Sequence, residues 1–178
     1  MPPLHPRIDL DAVAPDAERA IGALDRYVAT SRLDPALLEL VRVRASQING
    51  CHLCLDMHTR DARARGVTER RLYVLDAWRE APWYTARERA ALAWTEAVTL
   101  VADGRVPDDV YETARAQFGE AEIAELTVAV IAVNAWNRLA ISLRMVPAAS
   151  RPDVAPDAAA RPTLMAELHG VLAGIAAR

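Results

Sequence analysis

What the chain lacks excludes several function classes at once. No stretch approaches the roughly 18 uninterrupted apolar residues that a membrane span needs. The longest candidate, around Val128 to Val133, soon meets Asn134, Asn137 and Arg138 and reads as a buried helix. The opening Met1-Pro2-Pro3-Leu4-His5-Pro6-Arg7 has none of the charged, apolar and small-residue regions of a signal peptide, so a cytoplasmic setting without a membrane partner is expected. A net charge of −3 creates no field that would gather nucleic acid. Runs of alternating apolar and polar β-branched residues are missing, which argues against a sheet. Cysteine is almost absent: Cys51 and Cys54 are the only two in 178 residues.

What remains is a soluble globular balance, 52% hydrophobic and 25% charged, in a chain long enough for one substantial core. Helix punctuation recurs along it, and the expected class is all-α, with about six to eight helices over residues 1 to 146. Asp16 is expected to cap a helix running to about Thr30. Asp34-Pro35 opens a second that ends near Asn49-Gly50, and the segment after Gly50 starts a third, reaching Gly66. A fourth is expected from Thr68 through Leu72, Leu75 and Trp78. Thr85 with Glu88 fits a capping box for a fifth, to about Ala102. A short helix from about Pro107 to Gln117 precedes the most apolar segment, Glu120 to about Met145. The latter's apolar residues cover too much circumference for one buried stripe, which suggests a central helix or a subunit interface. Residues 147 to 162, with four prolines, read as a linker, and Leu164 to Ala177 as a C-terminal helical arm.

The chemistry concentrates in Cys51-His52-Leu53-Cys54-Leu55-Asp56-Met57-His58. On a helix, Cys51, Cys54 and His58 share one face. Covalent haem attachment would need histidine directly after the second cysteine, where Leu55 stands. A disulfide between residues three apart closes too short a loop to be a useful staple. Structural zinc needs four ligands; Cys51, Cys54 and His58 supply three, so a zinc-binding or redox-sensing helical module stays open as an alternative. Two buried cysteines acting as small apolar residues are the bland alternative, set against the polar His52, Asp56 and His58. Redox chemistry needs a thiolate, a proton route and a resolving thiol. The opening turn of a helix favours a thiolate, and His58 lies one turn beyond Cys54 to accept its proton. Glu39, on the preceding helix, is placed to orient His58 or relay its proton. Asp56, Asp61 and the arginines from Arg60 to Arg65 are expected on the exterior.

Glu39, Cys51, Cys54 and His58 at this spacing, embedded in Ala45-Ser46-Gln47-Ile48-Asn49-Gly50-Cys51, resemble the AhpD-like alkylhydroperoxidase and carboxymuconolactone decarboxylase superfamily. The stretches from Arg87 to Glu96 and from Asn134 to Arg138 also look like those of its single-motif members. The resemblance covers about residues 20 to 146. It implies an all-helical fold assembling into homo-oligomers (a trimer or hexamer) and a thiol pair that reduces a hydroperoxide without metal or organic cofactor. It implies further that Cys54 attacks the peroxide, Cys51 resolves the sulfenic acid as a disulfide, and His58 with Glu39 relays the proton. A dithiol or lipoyl-bearing protein would be the reductant. One departure is visible: the better-studied hydroperoxidases have histidine directly before the second cysteine, where this chain has Leu53. The superfamily's cofactor-free lactone decarboxylases need acid-base groups rather than a thiol pair, and the intact pair argues against that branch.

Overall fold

A computed structural model describes residues 5 to 146, and among them every regular element is helical. The expected linker and arm after residue 146 lie outside the described residues. Nine α-helices follow one another: α1 Leu10–Val13, α2 Pro15–Ala29, α3 Pro35–Asn49, α4 His52–Ala64, α5 Glu69–Tyr73, α6 Ala86–Thr99, α7 Val101–Gly104, α8 Asp108–Arg115 and α9 Glu120–Leu143. A 3-10 turn, Leu75–Ala77, sits between α5 and α6.

The helix that carries Glu39 begins and ends where its punctuation says. Asp34 Oδ1 accepts the Leu37 amide at 2.9 Å, Pro35 occupies the first turn, and Gly50 closes α3 in the left-handed region at φ 70°. The Thr85–Glu88 capping box likewise opens α6 with both reciprocal bonds, 2.8 and 3.2 Å.

Other boundaries differ from expectation, each for a local or tertiary reason. Asp9 caps a short extra helix, so α2 opens at Pro15 and Asp16 lies inside its first turn. The single helix expected from Thr68 through Trp78 is instead α5 and the 3-10 turn. Arg89, reaching back from α6, donates to the carbonyls of Trp78 (2.8 Å), Arg79 (2.9 Å), Ala81 and Tyr84, and holds the chain there in a non-helical path. The fifth helix stops at Thr99, and α7 follows after Leu100.

Helix α3 packs against α4, α6 and α9, and α9 against α2, α3, α6 and α8, so these two form the centre of the bundle. One apolar cluster joins α2, α3, α6, α8 and α9 through Val28, Leu38, Trp94, Ala114 and Leu126; another joins α3 to α4, the 3-10 turn and α6 through Leu40, Ala62, Leu75 and Leu92. Leu40, Leu75, Leu92 and Leu126 have no exposed surface, and burial of each such side chain stabilises the fold by about 2 kcal/mol. Helix α9 is long and apolar enough to cross a membrane by length and composition alone, but ten of its residues are buried against its neighbours, as in a core helix.

Central position has a chemical consequence. Neighbours on several sides bury every residue of α3 from Leu37 to Val43, so Glu39 and Arg42 must find partners inside the protein.

Candidate active site

The Asn49–Gly50 turn reverses the chain and lays α4 against α3, as the spacing suggested. Cys51 is the N-cap of α4, its amide bonded to the Ser46 carbonyl at 3.0 Å, and Cys54 lies in the helix's first turn. The two sulfurs are 2.7 Å apart and both residues are buried, 1% and 2% exposed. Leu53, Ala140 and Met145 pack around them, so an apolar side chain stands where better-studied hydroperoxidases carry histidine.

The pair is electrostatically unequal. The hydrogen bond from the Cys54 thiol stabilises a Cys51 thiolate, and against the opposing effect of burial the amides of Cys54 and Leu53 and the Asn137 side chain add to it. Together they bring Cys51 from the ordinary thiol value of 9.0 down to about 7. The same bond holds the proton on Cys54, and burial reinforces this, so Cys54 is pushed up. The two titrate as a unit, both lying at the opening of α4, where the helix amides favour a thiolate.

One turn beyond Cys54, about 5.4 Å along the axis, His58 bonds through Nδ1 to Glu39 Oε2 at 3.0 Å. A carboxylate only accepts, so Nδ1 carries the proton and Nε2 the lone pair. Glu39 is completely buried. Burial alone would raise its carboxyl. Arg42, whose Nη1 donates to Oε1 at 2.6 Å, and His58 outweigh that and bring it from 4.5 to about 2. Arg65 Nε stands 3.6 Å from the same Oε1.

The four expected residues thus form two contacting pairs, Cys51 with Cys54 and Glu39 with His58, a helical turn apart. Two expectations of exterior position are corrected. Arg65 is half-buried against Glu39, because the i, i+4 and i+7 steps from His58 return it to the α3-facing side. Asp61 is half-buried, and its carboxylate shares a 4.8 Å neighbourhood with Glu39 and His58. Three oxygen and nitrogen ligands could in principle gather a cation there, but Arg42 and Arg65 face the same carboxylate and oppose one.

Asn137 has a role that the motif analysis did not give it. Fully buried on α9, it accepts from Asn49 Nδ2 at 2.8 Å through Oδ1, and donates to Ser46 Oγ at 3.1 Å. Its side chain also acts to lower the pKa of both thiols. The signal was the polar Asn134 and Asn137 in an otherwise apolar helix: a buried amide there must have partners. Asn134 joins the same network through Asn49 (3.0 Å) and Thr99 (3.0 Å).

A family model for the carboxymuconolactone decarboxylase family matches residues 15–97, which contain all four expected site residues. The uncharacterized protein YdfG of Bacillus subtilis (strain 168) is 37% identical over 137 residues, 77% of this chain and 93% of its own length. The chain belongs to the carboxymuconolactone decarboxylase family. Among solved structures of related fold, ATU0492 from Agrobacterium tumefaciens, a protein of unknown function proposed to be the antioxidant defence protein AhpD, superposes with a TM-score of 0.77. It is 43% identical, the match covering 80% of this chain and 97% of that one. An uncharacterized peroxidase-related protein from Silicibacter sp. TM1040 superposes at 0.68 with 26% identity, covering 79% and 75%. The family's helical architecture, AhpD-like in these neighbours, is the one described above.

Proposed function

We propose that the protein is a thiol-dependent hydroperoxide reductase whose Cys51 and Cys54 cycle between dithiol and disulfide. The observation that carries this reading is the contact of two buried sulfurs at a helix opening, one of them held near pKa 7. A thiol of that pKa is substantially ionised at neutral pH yet keeps much of its nucleophilicity. The names of the Agrobacterium and Silicibacter proteins lean the same way.

In the proposed cycle the Cys51 thiolate attacks the terminal oxygen of the hydroperoxide. An S–O bond forms, the O–O bond breaks, and the alkoxide leaves as an alcohol after taking a proton. Cys54 then loses its proton toward His58, and its sulfur attacks the Cys51 sulfenic acid. The S–S bond forms, the S–O bond breaks, and hydroxide leaves with a proton as water. Glu39 keeps His58 in the tautomer whose Nε2 can accept. An external dithiol or lipoyl-bearing protein supplies two electrons and two protons to restore the pair. The lowered pKa of Cys51 supports attack by Cys51, in place of the Cys54 attack that the family resemblance implies. A reducing cytoplasm and a homo-oligomeric state belong to the same proposal.

The test is peroxide consumption with a dithiol reductant, comparing the parent with Cys51→Ser and Cys54→Ser. Both variants lose steady turnover. Cys54→Ser retains a single-turnover burst and accumulates a trappable sulfenic acid on Cys51, whereas Cys51→Ser shows no burst. A burst confined to Cys51→Ser restores the order in which Cys54 attacks. Full turnover by either variant, or stoichiometric zinc held by both cysteines after reducing purification, overturns the peroxidase reading.

A further inference from the structure

On the side of Arg42 and Arg65 the protein contains a partly enclosed cavity of about 190 Å³, formed where the end of α2 and the following loop meet α3 and the end of α4. Val28, Leu33 and Leu38 form apolar walls, and Arg42, Arg65 and Ser31 supply the polar groups. Among the described residues no acidic one lines it. The carboxylate that balances the arginines, Glu39, is buried beneath them on α3, and Asp61 approaches Glu39 without lining the cavity.

Three features go beyond a packing defect. Arg42 is only 4% exposed, so its guanidinium is fixed within the wall, and its bond to Glu39 uses Nη1 of a group with five N–H donors. Arg65, from a different helix, brings a second guanidinium to the same wall. Ser31 Oγ is buried without a hydrogen-bond partner, a destabilising state unless something in the cavity satisfies it. Two planar cations and an unpartnered hydroxyl in the wall of a largely apolar pocket match a carboxylate on a compact hydrocarbon body.

We propose that this cavity is a binding site for a small apolar monocarboxylate, with its carboxylate on Arg42, Arg65 and Ser31 and its hydrocarbon against Val28, Leu33 and Leu38. Size supports the class: an apolar cavity of about 150 Å³ accepts benzene, so 190 Å³ suits a single ring or a short chain with one charged group. Binding needs neither the thiols nor peroxide. If the relay of Glu39 and His58 operates as proposed above, a ligand carboxylate would compete with Glu39 for the same guanidiniums and so link occupancy to thiol turnover.

The test is calorimetric titration of the reduced full-length protein with benzoate and, separately, with uncharged benzyl alcohol. Benzoate should saturate one site and bind at least about ten-fold more tightly than the alcohol, with the methyl resonances of Val28, Leu33 and Leu38 shifting on binding. Arg65→Gln should remove that preference, and Leu38→Trp, which fills the cavity, should weaken both ligands. Equal affinity for benzoate and benzyl alcohol in the parent, no saturable benzoate binding, or shifts confined to other methyl groups overturns the proposal whether or not the variants fold. Because no step consumes peroxide, failure here leaves the peroxidase reading standing, and failure of that reading leaves this site standing.

Discussion

Glu39 shows how one side chain can be structural and functional together. Its depressed carboxyl, about 2 in the fold against 4.5 ordinarily, means that the native protein binds this proton less readily than the unfolded chain. Its stabilisation is therefore complete above about pH 4.5 and is lost as the pH falls through about 2, and the difference corresponds to about 3 kcal/mol. Chemical denaturation between pH 5 and pH 2 should show a falling unfolding free energy, and Glu39→Gln should flatten that part of the curve. The same variant leaves the Arg42 charge buried without its partner, so it should also lose about 3–5 kcal/mol at neutral pH. At the thiols, the rate of alkylation of reduced protein should rise with pH about a midpoint near 7, set by Cys51. Asn137→Ala removes an amide that lowers the pKa of both thiols and should move that midpoint upward; an unchanged midpoint would mean that the amide only fills space. Cys51, Cys54 and His58 were visible in the sequence because two thiols and a base recur at helical spacing, and Glu39 through its place in the family motif. Arg42 and Arg65 were not, since an arginine on a helix ordinarily faces solvent and only the packing of α3 against α4 turns these inward, while Asn137 showed only as a polar residue in an apolar segment.

At the scale of elements, punctuation and packing divide the work. Helix α3 could be bounded to the residue because Asp34, Pro35 and Gly50 act locally, whereas the break between α5 and α6 could not, because it depends on Arg89 gripping carbonyls 5 to 11 positions away. The stretch from Arg87 to Glu96, noticed as a family likeness, thus has a structural task. Glu96 completes it by accepting from Arg44 (2.8 Å) and Trp78 (2.8 Å) and pairing with Arg79 (2.6 Å), tying α3 to the 3-10 region. The α3–α4 turn is where element geometry meets chemistry. Gly50 has φ 70° and open space around the position of a Cβ, so Gly50→Ala meets no clash and pays only for the left-handed backbone, about 1–2 kcal/mol. That strain acts on the residue before the thiol N-cap. Gly50→Ala should therefore lower the thermal midpoint and raise the Cys51 pKa together, whereas Asp34→Ala, at the other end of α3, should cost about 1 kcal/mol of stability and leave the thiol titration unchanged.

For the whole molecule, the choice between a central helix and a subunit interface for the most apolar segment turns out not to exclude either. Helix α9 fills the centre with Leu126, Val130, Val133 and Trp136, yet Ile131 and Ile141 remain about half exposed, 48% and 45%. Leu100 and Val101 are exposed to a similar degree, and the Asn134–Thr99 bond pins the end of α6 beside them against the middle of α9. Exposed aliphatic residues distributed along the helix that also supplies Asn137 and Ala140 to the thiol surroundings fit the proposed assembly of identical chains, because a second copy covering them would remove apolar surface from water. The double variant Ile131→Glu, Ile141→Glu places two charges on that surface without touching the buried face. Sedimentation equilibrium should show the parent as an oligomer and the variant at a lower mass, with an unchanged helical circular dichroism spectrum confirming that the bundle itself is intact. A parent that sediments as a monomer, or a variant that keeps the parent's mass, would remove this face of α9 from the interface.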